Sequence, residues 1–346
     1  MSALHEWWYF NSHLETKAGK HYGLFVSFFS PNVMLFALVD KSERRIVKRF
    51  IEKTHIKTST SSVNVKAGNN WWRQVLDKPF HYAMHLARDD LSLNLELVSR
   101  KPPIFINCNG SVRLSLLGSS KYYSLTHMEV SGKLELSRDQ MEVKGIGWID
   151  RQWGSWDFGG IGSWIWFSIQ LSGNVEILTG QCLHPITGNP IMRFLNIVDD
   201  AGKMRVCDKF LIKCLGTWKS PQTGSIYGTR WMISASPDTL LRVVPVLEEQ
   251  EIRRGLWEGC CIVEGKFQGQ PTNGVGYIEE SHFRHDSSVL RLISLGVAPL
   301  HYFGQLTLGR VDFGVWKLMR FERLNRLARR KKLSQRKVQM VAYQEA

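Results

Sequence analysis

The chain has 346 residues, 43% of them hydrophobic and 22% charged, enough for two folded domains with cores of their own. Its formal net charge is +14, but the stretch from Val315 to the end holds ten Lys/Arg against two Asp/Glu, a net of +8. The basicity is mainly a property of the tail, which argues against nucleic acid as a partner, and no apolar run of about eighteen residues is present to form a spanning helix.

The first patterned stretch is "HEWWYF", residues 5–10. It falls one histidine short of the zinc-protease signature H-E-x-x-H, because Tyr9 stands at the second ligand position. Its consecutive aromatic residues favour a strand, with Trp7 and Tyr9 on one face and Trp8 and Phe10 on the other. Period-two alternation continues through 22–29, 33–39, 80–86, 91–98, 127–136 and 141–150. Residues 54–70 are polar and read as a long loop. The same style returns at 164–171, 175–183, 190–198, 209–216, 228–236, 240–247, 260–269 and 274–283. Many evenly spaced antiparallel strands predict sandwiches or barrels.

The two halves resemble one another. Aligning 6–14 with 163–171 matches Trp7, Tyr9, Phe10 and Leu14 to Trp164, Trp166, Phe167 and Leu171. Aligning 129–151 with 262–280 matches Gly145, Gly147, Trp148, Ile149 and Asp150 to Gly274, Gly276, Tyr277, Ile278 and Glu279. Each half opens with an aromatic strand and closes with a G-x-G-aromatic-I-acid strand. Two copies of one β-fold are expected, over 1–158 and 159–285, followed by an extension over 286–346. Within that extension, 316–333 has the composition of a basic amphipathic helix. Such a helix is expected either to touch an anionic membrane surface or to remain solvated.

Five of the thirteen tryptophans, Trp148, Trp153, Trp156, Trp164 and Trp166, cluster in "GIGWIDRQWGSWDF" and just beyond it. Trp148 and Asp150 share a strand face. If that face is a barrel interior, burial raises the pKa of Asp150 and makes it a candidate proton donor. The competing reading pairs Asp150 with Arg151 or a turn near Gly154. Upstream, a regular strand would put Tyr123, Leu125, His127 and Glu129 on one face, with Tyr123 and His127 as candidate proton relays. A strand histidine is also commonly just a satisfied polar group. Trp8, Tyr9, Tyr122, Trp153 and Trp166 are candidate walls for a substrate. Nucleophile-elbow, phosphate-loop and dinucleotide signatures are absent, and no histidine–acid set has metal spacing, so neither metal nor cofactor is expected. Six cysteines without a C-x-x-C pair read as thiols of a reducing compartment. No leader precedes the first strand, so a cytoplasmic protein is expected, peripheral to the inner face of a membrane if the tail binds one.

Taken together, "HEWWYFNSHL", "YYSLTHMEVSGKLEL", "GWIDRQWGSW", "WIWFSIQL" and "GVGYIEE" resemble the lipocalin-like hydratase superfamily over about residues 4–285. That superfamily includes carotenoid 1,2-hydratases (hydroxyneurosporene synthases), kievitone hydratase and, more distantly, cyclases of Diels–Alder type. The resemblance implies two tandem lipocalin-like antiparallel β-barrels and cofactor-free, acid-initiated chemistry on an apolar isoprenoid or polyene. Hydration of a C=C bond comes first, with cyclisation or simple carriage of an apolar ligand as alternatives. It assigns the proton donor to Asp150, with Trp148 where carotenoid hydratases carry tyrosine. Those enzymes also carry a His-x-Trp pair. Here "KYYSLTH" occupies that region, leaving the supporting role to the tyrosines or His127.

Overall fold

The computed structural model describes residues 5–282 apart from 31, 60–62, 107–109, 116–117, 156–161 and 185–186. Trp156 and the extension with its expected helix lie outside the described residues. The first sheet is built from β1 (His5–Thr16), β2 (His21–Ser30), β3 (Val33–Asp40), β4 (Arg45–Lys53), β5 (Ile56–Thr58), β6 (Asn64–Ala67) and β7 (Asn70–Gln74). It continues with β8 (His81–Arg88), β9 (Leu91–Ser99), β10 (Ile104–Phe105), β11 (Ser111–Ser115), β12 (Gly118–Leu136) and β13 (Asp139–Ser155). The second comprises β14 (Ser163–Leu171), β15 (Val175–Leu183), β16 (Pro190–Val198), β17 (Met204–Val206) and β18 (Leu211–Lys219). It is completed by β19 (Ile226–Ser236), β20 (Thr239–Pro245), β21 (Glu251–Arg253), β22 (Leu256–Phe267) and β23 (Gln270–His282).

All pairings are antiparallel, and no α-helix occurs among the described residues. The strand order is β4-β3-β2-β1-β13-β12-β9-β8-β7-β6-β5 in the first sheet and β17-β16-β15-β14-β23-β22-β20-β19-β18 in the second. In both, the first strand of the half pairs with its last. The fold is therefore two curled antiparallel sheets, half-barrels of lipocalin-like character. Turn chemistry repeats as well. The β12–β13 hairpin turns through Ser137 and Arg138, and β22–β23 through Gln268 and Gly269, all with positive φ. That is the turn geometry that matches strand twist.

The 54–70 segment is not a plain loop: it contains β5 and β6. Ile56, Val65 and Ala67 point inward and are buried, while their neighbours are polar and exposed. Strands this short, at a sheet edge, give too few alternations to be read from sequence.

Each sheet encloses its own core. Trp8, Phe10, Leu24, Phe28, Phe36, Trp72, Leu93, Leu125 and Ile149 fill the first. Phe167, Ile169, Ile197, Trp231, Val243, Trp257 and Ile278 fill the second. A third cluster, including Ile104, Val112, Tyr122, Trp148, Leu178 and Phe194, joins residues of both sheets. Strands β1 and β13 are thus buried on both faces, one toward their own core and one toward the other sheet. This is why aromatic residues occupy successive positions of "WWYF".

The halves meet around a local twofold relation, and the equivalent positions of β1 and β14 touch. Trp7 lies 6.1 Å from Trp164 between ring centroids, and Tyr9 lies 5.2 Å from Trp166, both edge to face. Asn11 Nδ2 donates to Ser168 Oγ at 3.0 Å. One turn of the pattern further on, the contacts exchange. His13 Nε2 lies 3.2 Å from the carbonyl of Gly276, and Gln170 Nε2 donates to the carbonyl of Gly147 at 3.0 Å. Reciprocal contacts of this kind are the mark of an isologous interface. The G-x-G pairs belong to the same design. A Cβ on Gly145 would collide with the backbone carbonyl of His13, and one on Gly274 with that of Gln170.

Candidate functional site

Asp150 lies on β13 opposite Tyr9 of β1 and Ser124 of β12. Its face, which holds Trp148 two residues earlier, looks toward the second sheet and not into the first barrel. Of the places the sequence left open, a barrel interior or the cleft between the two halves, this face borders the space between the sheets. There Trp7, Tyr9, Tyr122, Asp150, Trp164, Trp166, Phe194 and Glu279 line, among others, a cavity of ≈ 100 Å³.

Asp150 is 6% exposed. Its Oδ1 accepts hydrogen bonds from Ser124 Oγ at 2.5 Å and Trp148 Nε1 at 2.9 Å. Tyr122 donates a third, and itself receives the indole N–H of Trp166 at 3.1 Å. Burial pushes the Asp150 pKa up to about 7, and the three donors pull against that rise. The competing pairing with Arg151 is not what the structure holds. Arg151 lies on the opposite face, 3.0 Å from Glu6 and stacked on Trp8 with its guanidinium carbon 4.0 Å from the ring.

The second half supplies the counterpart. Glu279 of β23 stands opposite Trp166 and opposite Glu258 of β22. Its Oε1 accepts from Trp164 Nε1 at 2.5 Å, and burial, with the nearby Asp150 charge, moves its pKa up to about 8. Glu258 is 1% exposed; Oε2 accepts from the Tyr9 hydroxyl at 3.1 Å, whereas Oε1 has no partner. Burial, and then the proximity of Glu279, drive the Glu258 pKa well above the carboxylate range. Burial drives the Tyr9 hydroxyl well up too. Among the described residues, none of the three carboxyls forms an ion pair with a basic side chain.

The sequence candidates thus separate into three places. Tyr9, Tyr122, Trp166 and Asp150 line the cavity, with Trp148 bonding Asp150 from behind. Trp8, Tyr123 and Trp153 occupy the other face of the first sheet, gathered around Arg151. Tyr123 accepts a hydrogen bond from Tyr82 there and packs on the first core. Trp8 and Tyr9, being neighbours on one strand, cannot serve the same space. His127 goes to a third place. A bulge between Leu125 and Met128 reverses the alternation of β12 and turns His127 away from the face of Tyr123. Its Nδ1 lies 2.9 Å from Glu176, which also receives Lys101 Nζ at 2.7 Å and Thr126 Oγ1 at 3.2 Å.

Glu279 and Glu258 were not singled out from sequence. The internal alignment carried a signal for the first, since it sets Glu279 against Asp150. Glu258, inside the otherwise apolar "LWEGCC", has no counterpart acid, because Ser124 holds the corresponding register position.

The profile of the AttH-like family matches residues 2–280. The chain belongs to the AttH-like family. Solved structures share its architecture. A protein described as AttH from Nitrosomonas europaea superposes with TM-score 0.70 at 24% identity, covering 80% of this chain and 92% of that one. Kievitone hydratase from Nectria haematococca gives TM-score 0.68 at 18% identity, over 80% and 89% of the respective chains. CghA in complex with Sch210972 gives 0.55 at 11% identity, over 81% and 88%. No curated protein matches in sequence. At these identities the structural neighbours of this AttH-like chain establish its architecture, while its chemistry must be argued from its own residues.

Proposed function

We propose that this chain adds water across a C=C bond of an isoprenoid or polyene, without a cofactor, in the cavity between the two sheets, with Asp150 exchanging the proton. The observation that carries the reading is a carboxyl at the wall of an aromatic cavity whose pKa lies near neutrality. Such a group is partly protonated and partly ionised at neutral pH, so it can give or take a proton at little cost. Protonating a trisubstituted alkene leaves a tertiary cation. The faces of Trp7, Tyr9, Trp164 and Trp166 supply π-density to stabilise it without bonding to it. Gln152 and Gln181 also line the space and offer amide groups to hold the water. That favours hydration over cyclisation, in which the cation would be quenched by the substrate itself. The cavity is small against the ~300–1,000 Å³ of a drug-sized site, so it suits one isoprenoid end group of a longer molecule. A carotenoid would enter by its terminus.

The test is Asp150→Asn, which keeps shape and removes the titrating oxygen. With kievitone as the probe alkene, the variant is expected to lose about 100-fold or more in turnover, the range in which general acid–base groups contribute. The product of the unmodified protein should gain the mass of one water. An undiminished rate in the variant sinks the role of Asp150, and a product of unchanged mass replaces hydration by cyclisation.

A further inference from the structure

We propose that Glu279, the twofold mate of Asp150, gives the proton that adds to the double bond, and that Asp150 takes the proton released by the attacking water. The proposal rests on the hydration reading above and divides its two proton transfers between two carboxyls.

Three observations carry it. First, both acids line the one cavity, one from each half. They occupy equivalent positions about a relation that the Trp7–Trp164, Tyr9–Trp166 and Asn11–Ser168 contacts make explicit. Second, their surroundings are opposite in kind. Asp150 is met by three donors, from Ser124, Trp148 and Tyr122. Hydrogen bonds into the oxygens stabilise the ionised form, so this pocket is built for a carboxylate. Glu279 receives one indole N–H, from Trp164, and faces another carboxyl, Glu258, where Asp150 faces the hydroxyl of Ser124. Two carboxyls side by side resist double ionisation: the Glu279 charge drives Glu258 up, while Glu279 itself is held up by burial and by the Asp150 charge. Third, among the described residues no cation offsets these charges. The titratable groups around Glu279 are Glu258 on β22, Tyr9 on β1, Cys182 on β15 and Asp150 on β13. Around Asp150 they are Tyr122 on β12, Tyr9, Glu258 and Glu279. All are acids, so the first charge to appear in the cavity disfavours the second. Asp150, met by more donors, ionises first, and its charge holds the proton on Glu279.

The steps balance. The Glu279 O–H proton forms the new C–H bond as the π bond breaks, leaving a cation and a carboxylate. Water oxygen forms the C–O bond, and its proton passes to Asp150. A proton then returns from Asp150 to Glu279 through cavity water. The sum is one water added, with no change of oxidation state.

The experiment is a carboxyl infrared titration of the full chain, with Asp150→Asn and Glu279→Gln as assigning variants. It is expected to show two carboxyl steps near neutrality, the Glu279 step moving down in Asp150→Asn by less than the separation of the two steps. The Asp150 step should hold its place in Glu279→Gln, because Glu279 is still neutral when Asp150 ionises. The opposite asymmetry, or a Glu279 ionised throughout the neutral range, overturns the assignment. This arm needs no turnover, and Glu279→Asp serves if the glutamine variant does not fold. With kievitone as probe, the rate should rise through about pH 7 as Asp150 ionises and fall through about pH 8 as Glu279 loses its proton. A profile that only falls through pH 7 returns the donor role to Asp150 and leaves the hydration reading standing. Full turnover by Asp150→Asn removes that reading itself.

Discussion

Asp150 titrates at about 7 in the folded chain against 3.8 for a free carboxyl, and that difference has a cost in stability. Between the two values the unfolded chain has lost its proton and the folded chain has kept it. Stability therefore falls as pH rises through this window, and levels off above the folded pKa. The contribution from this one group is on the order of 3 kcal/mol between pH 5 and pH 8. Asp150→Asn removes this group's share of the dependence and leaves that of Glu279 and Glu258. Denaturant unfolding should show the variant losing less stability than the unmodified protein between those pH values, and an unchanged slope would mean that Asp150 is hydrated in the folded state. What sequence conveys at this scale follows from the geometry of a strand. The pairing of Trp148 with Asp150 on one face was legible, because alternation fixes it. Which side of the sheet that face meets was not, because both faces of β13 are covered by apolar residues. His127 was misplaced for a different reason: the bulge before Met128 shifts the alternation and leaves no mark in "SLTHME".

Among the elements, β1 and β14 meet at equivalent positions, and charged groups buried beside them help hold the sheets together. Lys101, 7% exposed, gives its ammonium to Glu176 on β15 and to the carbonyls of Asn174 and Asp199. On the other side, Lys41 Nζ lies 3.1 Å from His13 Nδ1, and His13 in turn reaches Gly276. Burial, and then the Lys41 charge, hold the His13 pKa well down, so the ring is neutral and its Nε2–H donates to the carbonyl. Removing one member of a buried ion pair strands the other. Glu176→Ala is therefore expected to destabilise the chain by about 3–5 kcal/mol in thermal or denaturant unfolding. A loss below about 1 kcal/mol would show that Lys101 finds water or another acceptor. The existence of most strands was legible from period two, and so were the matched motifs that open and close each half; that those two strands pair with one another was not. The edge strands β5 and β6 were not, since Ile56, Val65 and Ala67 are too few to set a period.

At the scale of the molecule, Lys and Arg are concentrated in the last part of the chain. The final segment from Val315 carries a net +8. We propose that it draws the protein to anionic lipid, where an isoprenoid substrate would be dissolved. No described helix is long and apolar enough to cross a membrane. Deleting 315–346 is expected to lower cosedimentation with vesicles containing phosphatidylserine, most clearly at low salt. Equal sedimentation of the shortened and full-length chains would count against that role.

A symmetric pair of separate subunits would have to present the same acid from both walls of a cavity on their shared axis. Fusing the halves into one polypeptide lifts that restriction. One wall is free to evolve toward holding a charge, the other toward withholding it, and a single crevice acquires two ends of opposite temperament.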